Sequence, residues 1–207
     1  MDRMKNLQQL INIASNPLGR DVTSLQASTI PTPVHEILLK KNGFYAFESA
    51  LLIRPTQIHG SPMSLEDWNR HETWIECFDN IPPIFFFAEN IFGEQFGWFD
   101  GRILRFDPET SEISDFCETI REWASMILED YDYLTGYSLA REWQEIHGPL
   151  RHGRRLVPYT PFVLGGGFDV SNLKEVDECE AIRIRAGLAS KIRDLPDGSK
   201  ISIEYTD

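Results

Sequence analysis

The run IFFFAENIFGEQFGWFDGRILRFD, residues 84–107, constrains the fold of this chain more than any other stretch. It is three short aromatic-rich segments joined by turn residues. Ile84–Ala88 is apolar and β-favouring, Gly93 separates it from Gln95–Phe99, and Asp100-Gly101 precedes Arg102–Phe106. Asp-Gly between two such segments is a hairpin signal, because a tight two-residue turn needs positive φ at both central positions. The run therefore predicts the centre of an antiparallel sheet. Its density of Phe and Trp fits a sheet buried on both faces. The alternative is that some rings, Trp98 among them, stay open as anchors for a partner.

Helical spacing predicts the layers around this sheet. Residues 3–14 carry Met4, Leu7, Leu10, Ile11 and Ala14 on one stripe, and residues 15–31 form a loop. Thr32-Pro33 opens a helix with Val34, Ile37 and Leu38 inward, and Gly43 ends it. Ala50–Arg54 is a strand stopped by Pro55. Ser64 and Asp67 cap a helical turn around Trp68, and Trp68 and Trp74 are core plugs. Pro108–Ser111 is a turn. A helix over about 116–131 has Phe116, Ile120, Trp123, Ile127 and Tyr131 inward, with Asp115 and Glu118 as its capping pair. Ser138 caps a further helix with Leu139, Trp143 and Ile146 inward. Arg151–Arg155 is a small basic loop, and an extended apolar piece follows it to Gly165-Gly166-Gly167. A last helix spans about 177–194, and Asp197-Gly198 turns into a strand at Lys200–Tyr205. These elements give an α+β class, a mainly antiparallel sheet flanked by helices. Residues 1–30 are an N-terminal helix and loop, and 31–207 are one domain with a C-terminal helix-strand extension.

The 207 residues carry a formal net charge of −12. Residues 64–132 hold 17 Asp/Glu against 4 Lys/Arg, so the rest of the chain is close to neutral. An acidic chain of this kind is not expected to bind nucleic acid, whose phosphates call for Lys and Arg. It suits a basic protein partner, or simply a well-solvated surface. No apolar run approaches a membrane span, and the opening MDRMKNLQQL has no apolar signal-peptide region. Cys77, Cys117 and Cys179 are isolated, so reduced and mostly buried thiols and a cytoplasmic protein are expected.

Catalytic motifs are lacking. There is no G-x-S-x-G and no H-E-x-x-H, and the five histidines have no ligand spacing. Gly165–Gly167 lacks the G-K-[ST] ending of a phosphate loop, and Phe168-Asp169 would put a ring and an anion where phosphate should sit, so a tight turn is expected. Asp100 and Asp107 bracket a strand, and turn chemistry accounts for both. No cofactor and no metal are expected.

With these residues in view, the chain resembles the SUKH superfamily of Smi/Knr-type proteins. The features that carry the resemblance are the Pro-started helix ending in Asn42-Gly43, the strand pair FFAENIFGEQFGWFDGRILRFD, the following helix with Ile120, Trp123 and Ile127, and the piece VPYTPFVLGGGFDVSNL. Residues 43–55, GFYAFESALLIRP, also look like the GAD-related domain of other toxin-immunity systems. The SUKH resemblance implies an α+β fold and a binding role, since the superfamily includes yeast cell-wall regulators and bacterial immunity proteins that neutralise co-encoded toxins. The leading expectation is an immunity protein that occludes a bacterial toxin. A regulatory scaffold for an endogenous partner and a small enzyme with an unrecognised site are the alternatives. From their clustering, Glu109, Glu112, Asp115, Glu118 and Glu122 are the candidate contacts for a basic toxin domain, with Trp98 as a possible anchor.

Overall fold

The structure is a computed structural model that describes residues 3–22, 30–193 and 195–196. Its centre is a six-stranded antiparallel meander: β1 (Phe44–Ala46), β2 (Leu51–Ile53), β3 (Phe85–Asn90), β4 (Gln95–Phe99), β5 (Arg102–Asp107) and β6 (Glu112–Cys117), in sequence order across the sheet. The Asp100-Gly101 turn joins β4 to β5 with φ of 45° and 83°, the doubly positive geometry that Asp-Gly favours. Phe99 then pairs with Arg102, and the register runs on to Gln95 opposite Phe106. A bulge between Phe86 and Ala88 puts both Phe87 and Ala88 into one core, which breaks the usual alternation of faces.

Both faces of the sheet are buried, which explains why its strands read as aromatic throughout. On one face Phe87, Phe96 and Ile103 meet three helices: α1 (Arg3–Ile13), α2 (Thr32–Lys40) and, after a short α3 (Leu65–Trp68), α4 (Ile120–Glu129). Leu7, Leu10 and Ile11 of α1 belong to this core, and so do Trp123 and Ile127 of α4. The Trp123 ring sits edge-on to Phe87 at 5.2 Å. On the other face Phe86, Leu104 and Phe106 meet Trp68, Trp74 and Phe78. Beyond α5 (Tyr131–Thr135) and α6 (Tyr137–His147), a two-stranded sheet pairs β7 (Arg154–Pro158) with β8 (Leu173–Asp177). The last described helix, α7 (Glu178–Ile192), closes the second face with Ile182, Ala186 and Ala189.

Several sequence expectations are corrected. The helix expected from 116 begins only at Ile120, and Phe116 lies on β6 with its ring 5.1 Å from Phe96. The cap is Thr119, whose Oγ1 accepts the Glu122 N–H at 3.1 Å, and not Asp115. Tyr131 starts a separate helix and is exposed. Gly136, not Ser138, stands at the N-cap of α6, and Ile146 is 64% exposed. Thr32 is the first helical residue of α2, with Pro31 before it. Arg154 and Arg155 lie on β7, not in a basic loop, and Phe162–Leu164 is a 3-10 turn, not extended. Cys77 is exposed. The strand expected at Lys200–Tyr205 lies outside the described residues.

Candidate functional site

Among the described residues β6 is an edge strand, bonded only to β5. Glu112 and Asp115 project from it into solvent, and Glu118 is exposed on the turn into α4. Charges of this kind also guard an open edge against pairing with another chain. Asp115 meets Arg102 at 3.3 Å with both side chains exposed, a contact that contributes little. Glu122 is half-buried in the first turn of α4, and its Oε2 accepts the Glu118 N–H at 3.3 Å. Trp98 is half-buried against the helix-side core and lines a groove of about 370 Å³ with Leu7, Pro33 and Ile120. Thr119 lines both that groove and the shallow hollow beside Asp115 and Glu118. Trp98, Asp115, Glu118 and Glu122 thus converge on the start of α4.

Glu109 does not join them. It is 4% exposed, because α7 brings Arg185 to it across 76 residues of sequence. Arg185 Nη1 donates to Glu109 Oε2 at 2.6 Å, and the Val163 N–H donates to Glu109 Oε1 at 2.8 Å. Glu109 belongs to a pocket of about 450 Å³ at the end of the sheet that carries the β3–β4 and β5–β6 turns.

That pocket is built from five places in the chain. Glu94 and Arg105 supply a forked ion pair on its sheet side, with Nη2 2.6 Å from Oε2 and 2.7 Å from Oε1. Tyr133 stands over Arg105, its ring centroid 5.9 Å from Cζ. Gly136 shapes the α5–α6 junction: its φ is 73°, and a Cβ there would come within 2.4 Å of the Phe92 ring. The connection between β7 and β8 gives the opposite wall. Asn172 pins it by donating to Thr160 O at 2.9 Å and to Gly167 O at 3.0 Å. The connection stacks Phe162 on Phe168 at 4.1 Å, and Phe162 meets Phe92 edge-on at 5.2 Å.

Arg185 is the most unusual member. It is 4% exposed, and its Nε and Nη2 have no hydrogen-bond partner among the described residues. Unmet buried donors cost about 1–3 kcal/mol each, more when charged. Burial holds the Arg185 pKa below the ordinary guanidinium value even though Glu109, Asp107 and Glu94 favour its charge. Burial likewise holds the Glu94 carboxyl above the usual carboxylate range despite Arg105.

A second buried charge cluster sits between the two sheets. Arg54 Nη2 lies 2.8 Å from Glu89 Oε1 and its Nη1 lies 2.8 Å from Glu178 Oε2, while Arg155 Nε reaches the same Glu89 oxygen at 2.6 Å. Gln95 donates to the other Glu89 oxygen at 2.7 Å and accepts from Trp68 Nε1 at 3.0 Å. The Arg54 guanidinium lies 3.4 Å from the Trp68 ring centroid. Burial opposes the charge of Glu89, but Arg155 and Arg54 outweigh it and hold its carboxyl below the usual range.

Sequence reasoning found the edge acids and missed the pocket. Phe168, directly after three glycines, was its one visible sign. Arg185 gave none: it is buried while its neighbour Ile184 is exposed, the reverse of what their chemistry predicts. The described residues contain no group of three or more His, Cys, Asp or Glu able to hold a metal, and no helix long and apolar enough to cross a membrane.

No family model and no curated protein matches the chain. Among solved structures, it is similar to the crystal structure of Atu4351 from Agrobacterium tumefaciens, with a TM-score of 0.55 and 14% identity over 85% of this chain and 86% of that one. At that identity the likeness shows the fold alone.

Proposed function

We propose that this chain is a SUKH-type binding protein of the cytoplasm, non-enzymatic, that neutralises a bacterial toxin by covering a basic surface of it. The observation that carries the proposal is the convergence of the acidic edge of β6 with the Trp98 groove at the start of α4. An apolar groove with Glu36, Asp115 and Glu118 about it, offset by Arg121 in its lining and Arg102 in the adjoining hollow, suits a partner that brings a hydrophobic anchor within a mainly basic patch. The resemblance of the strand pair and the following helix to SUKH immunity proteins supports the toxin as that partner. The test is capture of the partner with tagged protein, followed by association kinetics at low and moderate salt. Reversing Glu112 and Glu118 to Lys should slow association and flatten its salt dependence, because exposed rim charges act mainly on encounter. Unchanged association rates at both salts, or an acidic partner, would reject this surface.

A further inference from the structure

The pocket at the turn end of the sheet contains a guanidinium with one edge engaged and one edge free. Arg185 Nη1 is held by Glu109 at 2.6 Å, while Nε and Nη2 have no partner among the described residues and are buried, so a ligand engages them by displacing the side chains that cover them. The Nε–Nη2 side of an arginine is the fork that takes both oxygens of a carboxylate. Charge around it narrows the ligand further. Glu94, Asp107, Glu109 and Asp132 line the pocket against Arg105 and Arg185. With four carboxylates against two guanidiniums, a dianion such as a phosphate meets net repulsion. A molecule that carries its own ammonium beside its carboxylate matches both signs. The remaining wall is aromatic, with Phe162 stacked on Phe168 and Tyr133 on the other side. A volume of about 450 Å³ lies within the range of small-molecule sites.

We propose that this pocket binds a small zwitterion of the amino-acid class with an aromatic side chain, its carboxylate on the free edge of Arg185 and its ring against Phe168. The site is separate from the partner surface and needs no toxin to be tested. The probes are L-phenylalanine and L-tryptophan, titrated into the full chain by calorimetry and by amide NMR shifts. L-Phenylalaninamide removes the carboxylate. N-Acetyl-L-phenylalanine removes the ammonium and imitates the end of a partner's chain. Both analogues should bind at least about tenfold more weakly than L-phenylalanine, and inorganic phosphate should not compete. Arg185→Gln should abolish binding, but it strands Glu109 and endangers folding. Phe168→Ala avoids that difficulty, since its ring is 69% exposed. It should weaken binding about tenfold and leave the melting temperature of the free protein unchanged. The proposal is overturned if neither amino acid shifts the pocket amides at about 10 mM. Amide or acetyl analogues that bind as well as the amino acid, or a Phe168→Ala variant that binds like wild type, would overturn it too.

Discussion

The two buried charge clusters use the same residue types, Arg and Glu, in different settings. In the Arg54–Glu89–Arg155–Glu178 cluster, one carboxylate serves two guanidiniums, and the four side chains come from β2's end, β3, β7 and α7. None of them lines the pocket. In the Arg185–Glu109 pair, one guanidinium has one carboxylate and keeps two nitrogens free beside about 450 Å³ of open space. The first arrangement fastens the small sheet to the large one. The second leaves unpartnered donors, themselves buried, in a side chain that lines a cavity. Donors without a hydrogen-bond partner among the described residues occur in both clusters, at Arg54 Nε and Nη2 and Arg155 Nη2 as at Arg185 Nε and Nη2, so what separates the two is that only the Arg185–Glu109 pair lines a cavity.

The largest effect should come from breaking the sealed cluster. Glu89→Ala leaves Arg54 and Arg155 buried without their shared anion, and should cost about 3–5 kcal/mol in urea unfolding. A loss under about 1 kcal/mol would mean that the two guanidiniums find water, and the distinction between the clusters would collapse. Trp123→Ala provides the apolar yardstick. Its ring is fully buried between Phe87 and Phe96, so about 3–5 kcal/mol should again be lost. An unchanged melting temperature would show that α4 does not seal the core.

Acid titration separates the first cluster from the pocket's Glu94–Arg105 pair by sign. The Glu89 carboxyl is held low, so it contributes stability at neutral pH that is lost as pH falls below its unfolded value of about 4.3. The Glu94 carboxyl is held high, so its contribution is present at acid pH and is lost as pH rises through its folded value. Glu89→Gln should flatten the acid limb of the stability curve and Glu94→Gln should steepen it. Equal slopes in the two variants would contradict the opposite environments. The smallest effect belongs to the exposed edge: Glu112→Lys with Glu118→Lys should move unfolding by no more than about 0.5 kcal/mol. A larger loss would make these residues structural and remove them as contacts.

The parts of this design that were legible in the sequence are those written in adjacent residues. Asp100-Gly101 is a hairpin because of two φ angles, and Ser64 caps α3 through the Asp67 N–H three residues on. The start of α4 was misread because two cap patterns of the same form overlap, Asp115 with Glu118 and Thr119 with Glu122, and Phe116 falls by chance at helical spacing from Ile120. Only the β5–β6 ladder decides between them, and that is a tertiary fact. The acidity of residues 64–132 was legible as composition but not as surface. Glu89 and Glu109 spend their charge on Arg155 and Arg185, which lie outside that window. The pocket was unreadable for the same reason, since its ion pair spans 76 residues and its aromatic wall belongs to another connection.

The meander has a kinetic consequence. Each strand of the large sheet pairs with the strand next to it in the chain, so the sheet can assemble hairpin by hairpin, with short loop closures everywhere but between β2 and β3, where residues 54–84 intervene. The contact between Arg54 and Glu178 instead spans 124 residues, and it comes last in such an order. Glu178→Gln should therefore speed unfolding and leave the folding rate near that of wild type, whereas a slowed folding rate would move this closure into the nucleus. The C-terminal helix then acts as a latch on a sheet already formed, and it sets how long the native state lasts more than how quickly it is reached.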